Sequence, residues 1–380
     1  MEREVPILNE KKSFALWAFF KKEPVLVISA LCALLSMLLV PPSAAYLDYI
    51  DWKVLALLFC LMSVVAGVQE CGLFDRLGQQ LLSRCTGMRL LRLVLVLLPF
   101  FTSMLITNDV ALITFVPFAI SVLGLVGRLD ECIFVVVLQT VAANLGSMAT
   151  PVGNPQSLFL YNYYGLTAGR FFGWMLPLAG LSLVGLAAAA LAGKDRHISV
   201  RFEQTAALKN ARLLGLFAVL FVVCMLCVLH VVDYRLMLAV VLAALLVFDR
   251  PLIAKVDYSL LLTFVCFFVF SGNLGGMEAV RSLLTDLLER STLFTSILAS
   301  QVVSNVPAAV LLAGFTSDAR GMLMGTNVGG LGTIIASLAS LISFKYYLRS
   351  PGANAGRYMA VFTAVNLIGL AALTAAACLL

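Results

Sequence analysis

Two short polar breaks inside apolar stretches carry the residue types that could do chemistry in this chain: Thr107-Asn108-Asp109 and Ser304-Asn305-Val306-Pro307. In each, an Asn offers an amide oxygen to a cation and an amide nitrogen to an anion. The arm leaving such a break starts with unpaired N–H groups at the positive end of its dipole. A second pair of stretches aligns without gaps, Asn144 to Asn154 against Asn327 to Ser337, with the Asn, the Gly (Gly146, Gly329) and the Thr (Thr150, Thr333) identical at matched positions. Thr150-Pro151 reads as an N-cap followed by the proline favoured at the first helical position, which aims another helix start at the same region. Such starts bind anions without a buried Arg. A single Asn, Thr or Gly in an apolar helix serves packing, but packing does not require the same break twice. The candidate binding residues are Thr107, Asn108, Asp109, Asn144, Gly146, Thr150, Pro151, Gly153, Asn154, Ser304, Asn305, Asn327, Gly329, Thr333 and Ser337, with a sodium site at Asn108, Asp109 and Asn144.

Asp109 is the only acidic residue between Asp75 and Asp130. An ionisable group deep in an apolar stretch is a functional hypothesis by default. It either ligates sodium, binds and releases a proton, or caps the second arm of its hairpin as a plain N-terminal carboxylate.

The elements that must hold these breaks cross a membrane. Of 380 residues 62% are hydrophobic and 12% charged, where a soluble domain carries roughly 25% charged residues. Residues 24–47, 54–69, 93–108, 110–127, 132–169, 171–193, 213–232, 258–277, 291–317, 321–344 and 358–380 contain no Asp, Glu, Lys or Arg. Most are long enough to span a bilayer, which takes about 20 residues of helix. The net charge of +6 belongs to membrane-flanking loops rather than to a nucleic-acid surface. The nine cysteines lie within or beside apolar stretches, as small hydrophobes do, and Cys224 and Cys227 lack a second ligand pair for zinc.

Two halves repeat each other. Asp51-Trp52-Lys53-Val54-Leu55 and Asp257-Tyr258-Ser259-Leu260-Leu261 open matching spans. Each is followed by an amphipathic interfacial helix, a polar-tipped stretch and a broken helix. The expected divisions are a cytoplasmic tail 1–23, a first repeat 24–192 (hairpin tip 107–109, broken helix 131–162), a cytoplasmic loop 193–212, a connecting span 213–233, and a second repeat 234–380 (hairpin tip 304–307, broken helix 321–344). The fold class is an all-α polytopic membrane protein, with about nine transmembrane helices, two re-entrant hairpins and two broken helices. This threading puts 20 of the 26 Lys and Arg on the inside, obeys the positive-inside rule and makes the repeats inverted. Inverted repeats with interrupted helices are the architecture of secondary transporters. An intramembrane enzyme would need a nucleophile with a base, or a metal with ligands. The two histidines, His197 and His230, fall in a charged loop and at a span end, and neither HExxH nor a glycine-rich phosphate loop occurs. No enzyme activity and no cofactor are expected.

Ile106-Thr107-Asn108-Asp109-Val110-Ala111-Leu112, Ala149-Thr150-Pro151-Val152-Gly153-Asn154-Pro155-Gln156 and Ser304-Asn305-Val306-Pro307-Ala308 resemble the hairpin-tip and broken-helix signatures of the ion transporter superfamily. That group holds citrate-type permeases, divalent anion/sodium symporters, arsenite permeases and a branch of sodium/proton antiporters. The resemblance covers about residues 24–380. It implies a homodimer of elevator type in the cell membrane, N-terminus cytoplasmic, whose tips and helix breaks share the substrate with coupling ions, sodium or protons. The symporter branch has Ser-Asn-Thr at both tips; Val306 lacks that hydroxyl and Asp109 stands where the other Thr would be. A small anion, in particular a carboxylate, is the expected substrate, because the motifs supply helix starts and amides but no fixed positive charge. Arsenite export and sodium/proton exchange are the alternatives that Asp109 favours.

Overall fold

The structure, a computed structural model, describes residues 23–44, 46–83, 85–193, 195–198 and 207–380. All but the last residue of the expected tail, together with Arg84, Lys194 and Arg201 of the charge count, lies outside them. Among the described residues the regular structure is helical, with one isolated antiparallel bridge between Gly87 and His197. The first half runs α1 (Pro24–Leu39), α2 (Trp52–Glu70), α3 (Leu73–Leu82), α4 (Met88–Thr102), α5 (Asn108–Leu125), α6 (Cys132–Ser147), α7 (Pro155–Tyr163) and α8 (Ala168–Leu191). The second runs α9 (Ala211–Val228), α10 (Tyr234–Phe248), α11 (Tyr258–Gly275), α12 (Glu278–Arg290), α13 (Thr292–Val303), α14 (Asn305–Ala313), α15 (Ala319–Val328), α16 (Leu338–Tyr347) and α17 (Ala355–Leu379).

The sequence sets these boundaries locally. Asp51 caps α2 by accepting the Val54 N–H at 3.0 Å, and Asp257 caps α11 by accepting the Leu260 N–H at 2.9 Å; each satisfies one of the four orphan donors at a helix start. Gly72, at φ 76, turns the chain from α2 into the amphipathic α3, which buries Phe74 and Leu82 and leaves Leu77 and Leu81 exposed. Among the described residues seven helices are long and apolar enough to cross a membrane, and three shorter apolar ones accompany them. The expected count of about nine differs because α1 and α10 fall short of spanning length and 321–344 divides into α15 and α16; 131–162 divides as well, into α6 and α7, but α6 with the turn before it keeps spanning length. The second arm of the first hairpin, α5, is itself of spanning length.

The helices pack in two groups. α1 lies on α11, and α9 and α10 lie on α2; in the other group α4 packs on α6 and α8, α5 on α6 and α16, and α13 on α14 and α15. The groups meet where α14 packs on α11 and α7 on α2. The end of α2 and the start of α11 share one face through the Lys255–Glu70 ion pair, whereas the start of α2 and the end of α11 line one cavity on the other. The two Asp-capped helices are therefore antiparallel. On the Lys255 face lie the base of the first hairpin, where Met88 N–H donates to Arg196 O at 2.9 Å, and the segment ending α2, where Lys209 N–H donates to Cys71 O at 3.1 Å. The base of the second hairpin lies on the opposite face, where the Tyr164 hydroxyl donates to Ala313 O and Thr316 O.

Candidate functional site

The two breaks are bonded to each other. Asn154 Nδ2 donates to Asn327 Oδ1 at 2.9 Å, and the Ser337 hydroxyl donates to Asn144 Oδ1 at 3.0 Å. In the ungapped alignment Asn144 and Asn327 hold the first position and Asn154 and Ser337 the last, so each break joins its first residue to the last residue of the other. The tips bond at matched positions too, each within its own half. Asn108 N–H donates to Gly153 O at 3.2 Å, and Asn305 N–H donates to Ala336 O at 3.0 Å; Gly153 and Ala336 are matched positions.

Polar satisfaction separates the two sides. Around Asn327 it is complete: Asn154 Nδ2 also donates to Ser147 Oγ, Asn154 Oδ1 accepts the Ser157 N–H, and Asn327 Nδ2 donates to Ser157 Oγ and Leu323 O. Around Asn144 it is not. Asn108 Nδ2 donates to Asn144 Oδ1 at 2.9 Å, yet Asn108 Oδ1 and Asn144 Nδ2 are buried with no partner. A buried amide left half-satisfied costs about 1–3 kcal/mol, so an acceptor and a donor stand ready at the first tip. The second tip is arranged differently. Asn305 Oδ1 accepts the N–H of its neighbour Val306 at 2.9 Å, and Ser304 sits at φ 76, ψ 155, a region that costs a non-glycine residue about 1–3 kcal/mol.

Several expected residues take other positions. The helix start after the first break is Asn154-Pro155, not Thr150-Pro151: Asn154 caps α7, with Pro155 first, while the Thr150 hydroxyl donates to Met104 O of the first hairpin and Pro151 is buried in the turn. Gly146 and Gly153 serve close approach, since an added Cβ would lie 2.1 Å from Phe100 O and from Ser147 O respectively. Gly329 ends α15 against Ser300, its carbonyl accepting from Gln301 Nε2 at 2.8 Å. Thr333 is held by Gln301 as well, through its N–H and its hydroxyl. Ser147, Ser157 and Gln301 complete this scaffolding and were missed. Ser157 had a signal, an Asn-Pro pair followed by Ser at the third helical position, whereas Gln301 had none because its partners Gly329, Leu331 and Thr333 lie in the second break.

Asp109 makes none of the recorded hydrogen bonds of the amide cluster. It lines a cavity of about 360 Å³ with Asp257, Lys345, Arg349, Val306 and Pro307. It also lines one of about 500 Å³ with Thr107, Gln69, Lys255 and Asp257. The proposed sodium trio is thus brought together at Asn108 and Asn144, with Asp109 turned to the adjoining cleft. The fixed positive charges that the motifs lack come from Lys345, in the last turn of α16, and Arg349, just beyond its end. His197 pairs in the bridge to Gly87, and His230 stacks on Tyr161 at 5.5 Å with Nδ1 2.9 Å from Lys53 Nζ. Burial first, and the Lys53 ammonium second, hold His230 below the ordinary imidazole value. Among the described residues no three His, Cys, Asp or Glu gather as metal ligands.

The family model described as citrate transporter matches residues 14–324. The inner membrane protein YbiR of Escherichia coli (strain K12) is 32% identical over 308 residues, 78% of this chain and 80% of that protein. An uncharacterized transporter of Methanocaldococcus jannaschii is 28% identical over 335 residues, 86% and 89% of the two chains. The silicon efflux transporter LSI3 of Oryza sativa subsp. japonica is 34% identical over 136 residues, 35% of this chain and 28% of that protein.

Proposed function

The chain belongs to the citrate transporter family, a family of membrane transporters, and from that premise we propose that it is a secondary active carrier of a small anion, in particular a carboxylate, driven by sodium or protons. The observation that carries this reading is the half-open amide cluster. Asn108 Oδ1 is buried without a donor and Asn144 Nδ2 without an acceptor, while the matched groups, Asn305 Oδ1 and Asn327 Nδ2, are bonded. A free carbonyl oxygen suits a cation and a free amide N–H suits an anion. Lys345 and Arg349 in the adjoining cavity support an anionic cargo, and Asp109, which shares that cavity, supports cation coupling.

The reciprocal bonding of the breaks and the antiparallel Asp-capped helices support two inverted halves. The carrier works in the cell membrane with a cytoplasmic N-terminus and as a homodimer of elevator type, the hairpins and broken helices moving against the α2 and α11 group. A second reading, metalloid export or sodium/proton exchange, rests on Asp109 and on the rice relative named a silicon efflux transporter.

The test is substrate flux in proteoliposomes under a sodium or a proton gradient, each alone. Proton coupling predicts that Asp109→Asn loses the response to a pH gradient while keeping substrate exchange; sodium coupling predicts a weaker sodium dependence. An Asp109→Asn protein indistinguishable from wild type under both gradients removes the coupling role. Flux of arsenite but of no carboxylate would establish the second reading.

A further inference from the structure

Outside the amide cluster one buried charge has more donors than partners. Arg92, on the first arm of the first hairpin, is 4% exposed. Its Nη1 lies 3.4 Å from Glu131 Oε2, whereas Nε and Nη2 are buried without any partner. Those two nitrogens form one edge of the guanidinium, with parallel N–H bonds that fit two oxygens of a phosphate or carboxylate group side by side. Removing such a group from water costs several kcal/mol unless its hydrogen bonds are replaced, so a free edge of this shape calls for an oxyanion.

Three chain segments converge on it. Arg128, in the turn after α5, shares the Glu131 carboxylate through Oε1 at 3.4 Å and also leaves its Nε buried and unpartnered. Arg89 lies one turn before Arg92 and binds Gly193 O through Nε at 2.9 Å. Gly193, at φ 92, lies against the guanidinium: a Cβ there would be 3.1 Å from Nη1 and 3.4 Å from Nη2. Against the three arginines stand Glu131, Asp130, whose side chain is 62% exposed and paired to Arg128 at 2.8 Å, and Asp195, which accepts the Arg89 N–H at 3.0 Å. The site lies at the base of the hairpin, on the face that carries Lys209 and Lys255, where a membrane interface supplies phosphate groups.

We propose that Arg92, with Arg128, binds a phosphate oxyanion at the base of the first hairpin through the free Nε/Nη2 edge. This site is separate from the carrier site, and its failure would leave the reading of the amide cluster untouched. The phosphate belongs either to an anionic lipid headgroup or to free phosphate, and both chemistries meet the same fork. Bound there, it would tie α4 to the turn after α5 and fix the hairpin base.

The experiment is thermal unfolding of the purified full-length protein in detergent. The additives are mixed micelles of phosphatidylglycerol, the same micelles with phosphatidylcholine, or inorganic phosphate against chloride at equal ionic strength. Wild type is compared with Arg92→Lys, which keeps the charge but loses the fork, and with Arg357→Lys on an exposed position of the same face. A shift with phosphatidylglycerol alone, absent in Arg92→Lys and kept in Arg357→Lys, assigns a lipid headgroup. A shift with inorganic phosphate as well, lost in the same variant, assigns a free oxyanion. No shift in wild type, or equal shifts in Arg92→Lys, overturns the site. Should Arg92→Lys not fold, Arg128→Lys replaces it, with the same outcomes required.

Discussion

Asn108 and Asn154 are both buried asparagines at breaks, yet their hydrogen bonds assign them different work. Asn108→Ala removes an oxygen that no protein group uses and one bond to Asn144, so the variant should fold, unfold near the wild-type temperature, and transport nothing measurable. Asn154→Ala removes an N-cap, worth about 1 kcal/mol, and takes from the buried Asn327 Oδ1 one of its two donors, leaving the Ser157 hydroxyl, a loss of about 1 kcal/mol more. It should melt several degrees lower, and its loss of flux should track its loss of folded protein. Equal melting and equal loss of flux in the two variants would erase the distinction between an open and a closed side. That Asn108, Asn144, Asn154 and Asn327 stand at the breaks was legible in the sequence because matched polar residues recur in apolar stretches; that they bond to one another is seen in the structure. The choice of cap was not. Thr150-Pro151 and Asn154-Pro155 satisfy the same local rule, and what selects the second is an amide from the other half of the chain, Asn327, together with a carbonyl on the first hairpin, Met104, that takes the Thr150 hydroxyl.

Among the elements, the tightest constraint is the crossing of α6 over α4. An added methyl at Gly146 would lie 2.1 Å from Phe100 O, whereas one at Gly185 in α8 meets nothing within 4 Å. Gly146→Ala should therefore destabilise by about 1–3 kcal/mol through overpacking and displace the first tip. Gly185→Ala should be neutral or gain about 1 kcal/mol from helix propensity. Paired denaturation curves decide; a neutral Gly146→Ala would mean that α4 can yield. At the second hairpin, Ser304→Gly should relieve the strained backbone and raise stability by about 1 kcal/mol, read as a higher unfolding midpoint. A drop would show that the Ser304 hydroxyl bond to Ala336 O outweighs the strain. Helix existence was readable from charge-free runs, and the caps Asp51 and Asp257 from their position before them. Gln301, which binds the carbonyls of Gly329 and Leu331, had no periodicity to announce it, because its role comes from α13 lying beside a segment about 30 positions away.

For the molecule as a whole, the basic face should be cytoplasmic. In a cysteine-free background on intact cells, an impermeant thiol reagent should label a cysteine at Ser43 and spare one at Ala355; the reverse pattern would invert the orientation. Matched motifs in two halves could be read from sequence, whereas the number of crossing helices could not, since charge-free runs do not show that α1 and α10 stop at 16 and 15 residues. The reciprocal bonds between the breaks carry a further implication, about ancestry and assembly. Neither half can finish its own break: Asn144 needs Ser337, and Asn327 needs Asn154. In the inverted arrangement proposed above, a free-standing ancestor of one half would have had to find a twin lying upside down in the same bilayer. Joining both orientations in one polypeptide makes that encounter intramolecular, and a chain cut between Ile198 and Ala207 should regain it only when both pieces are made together.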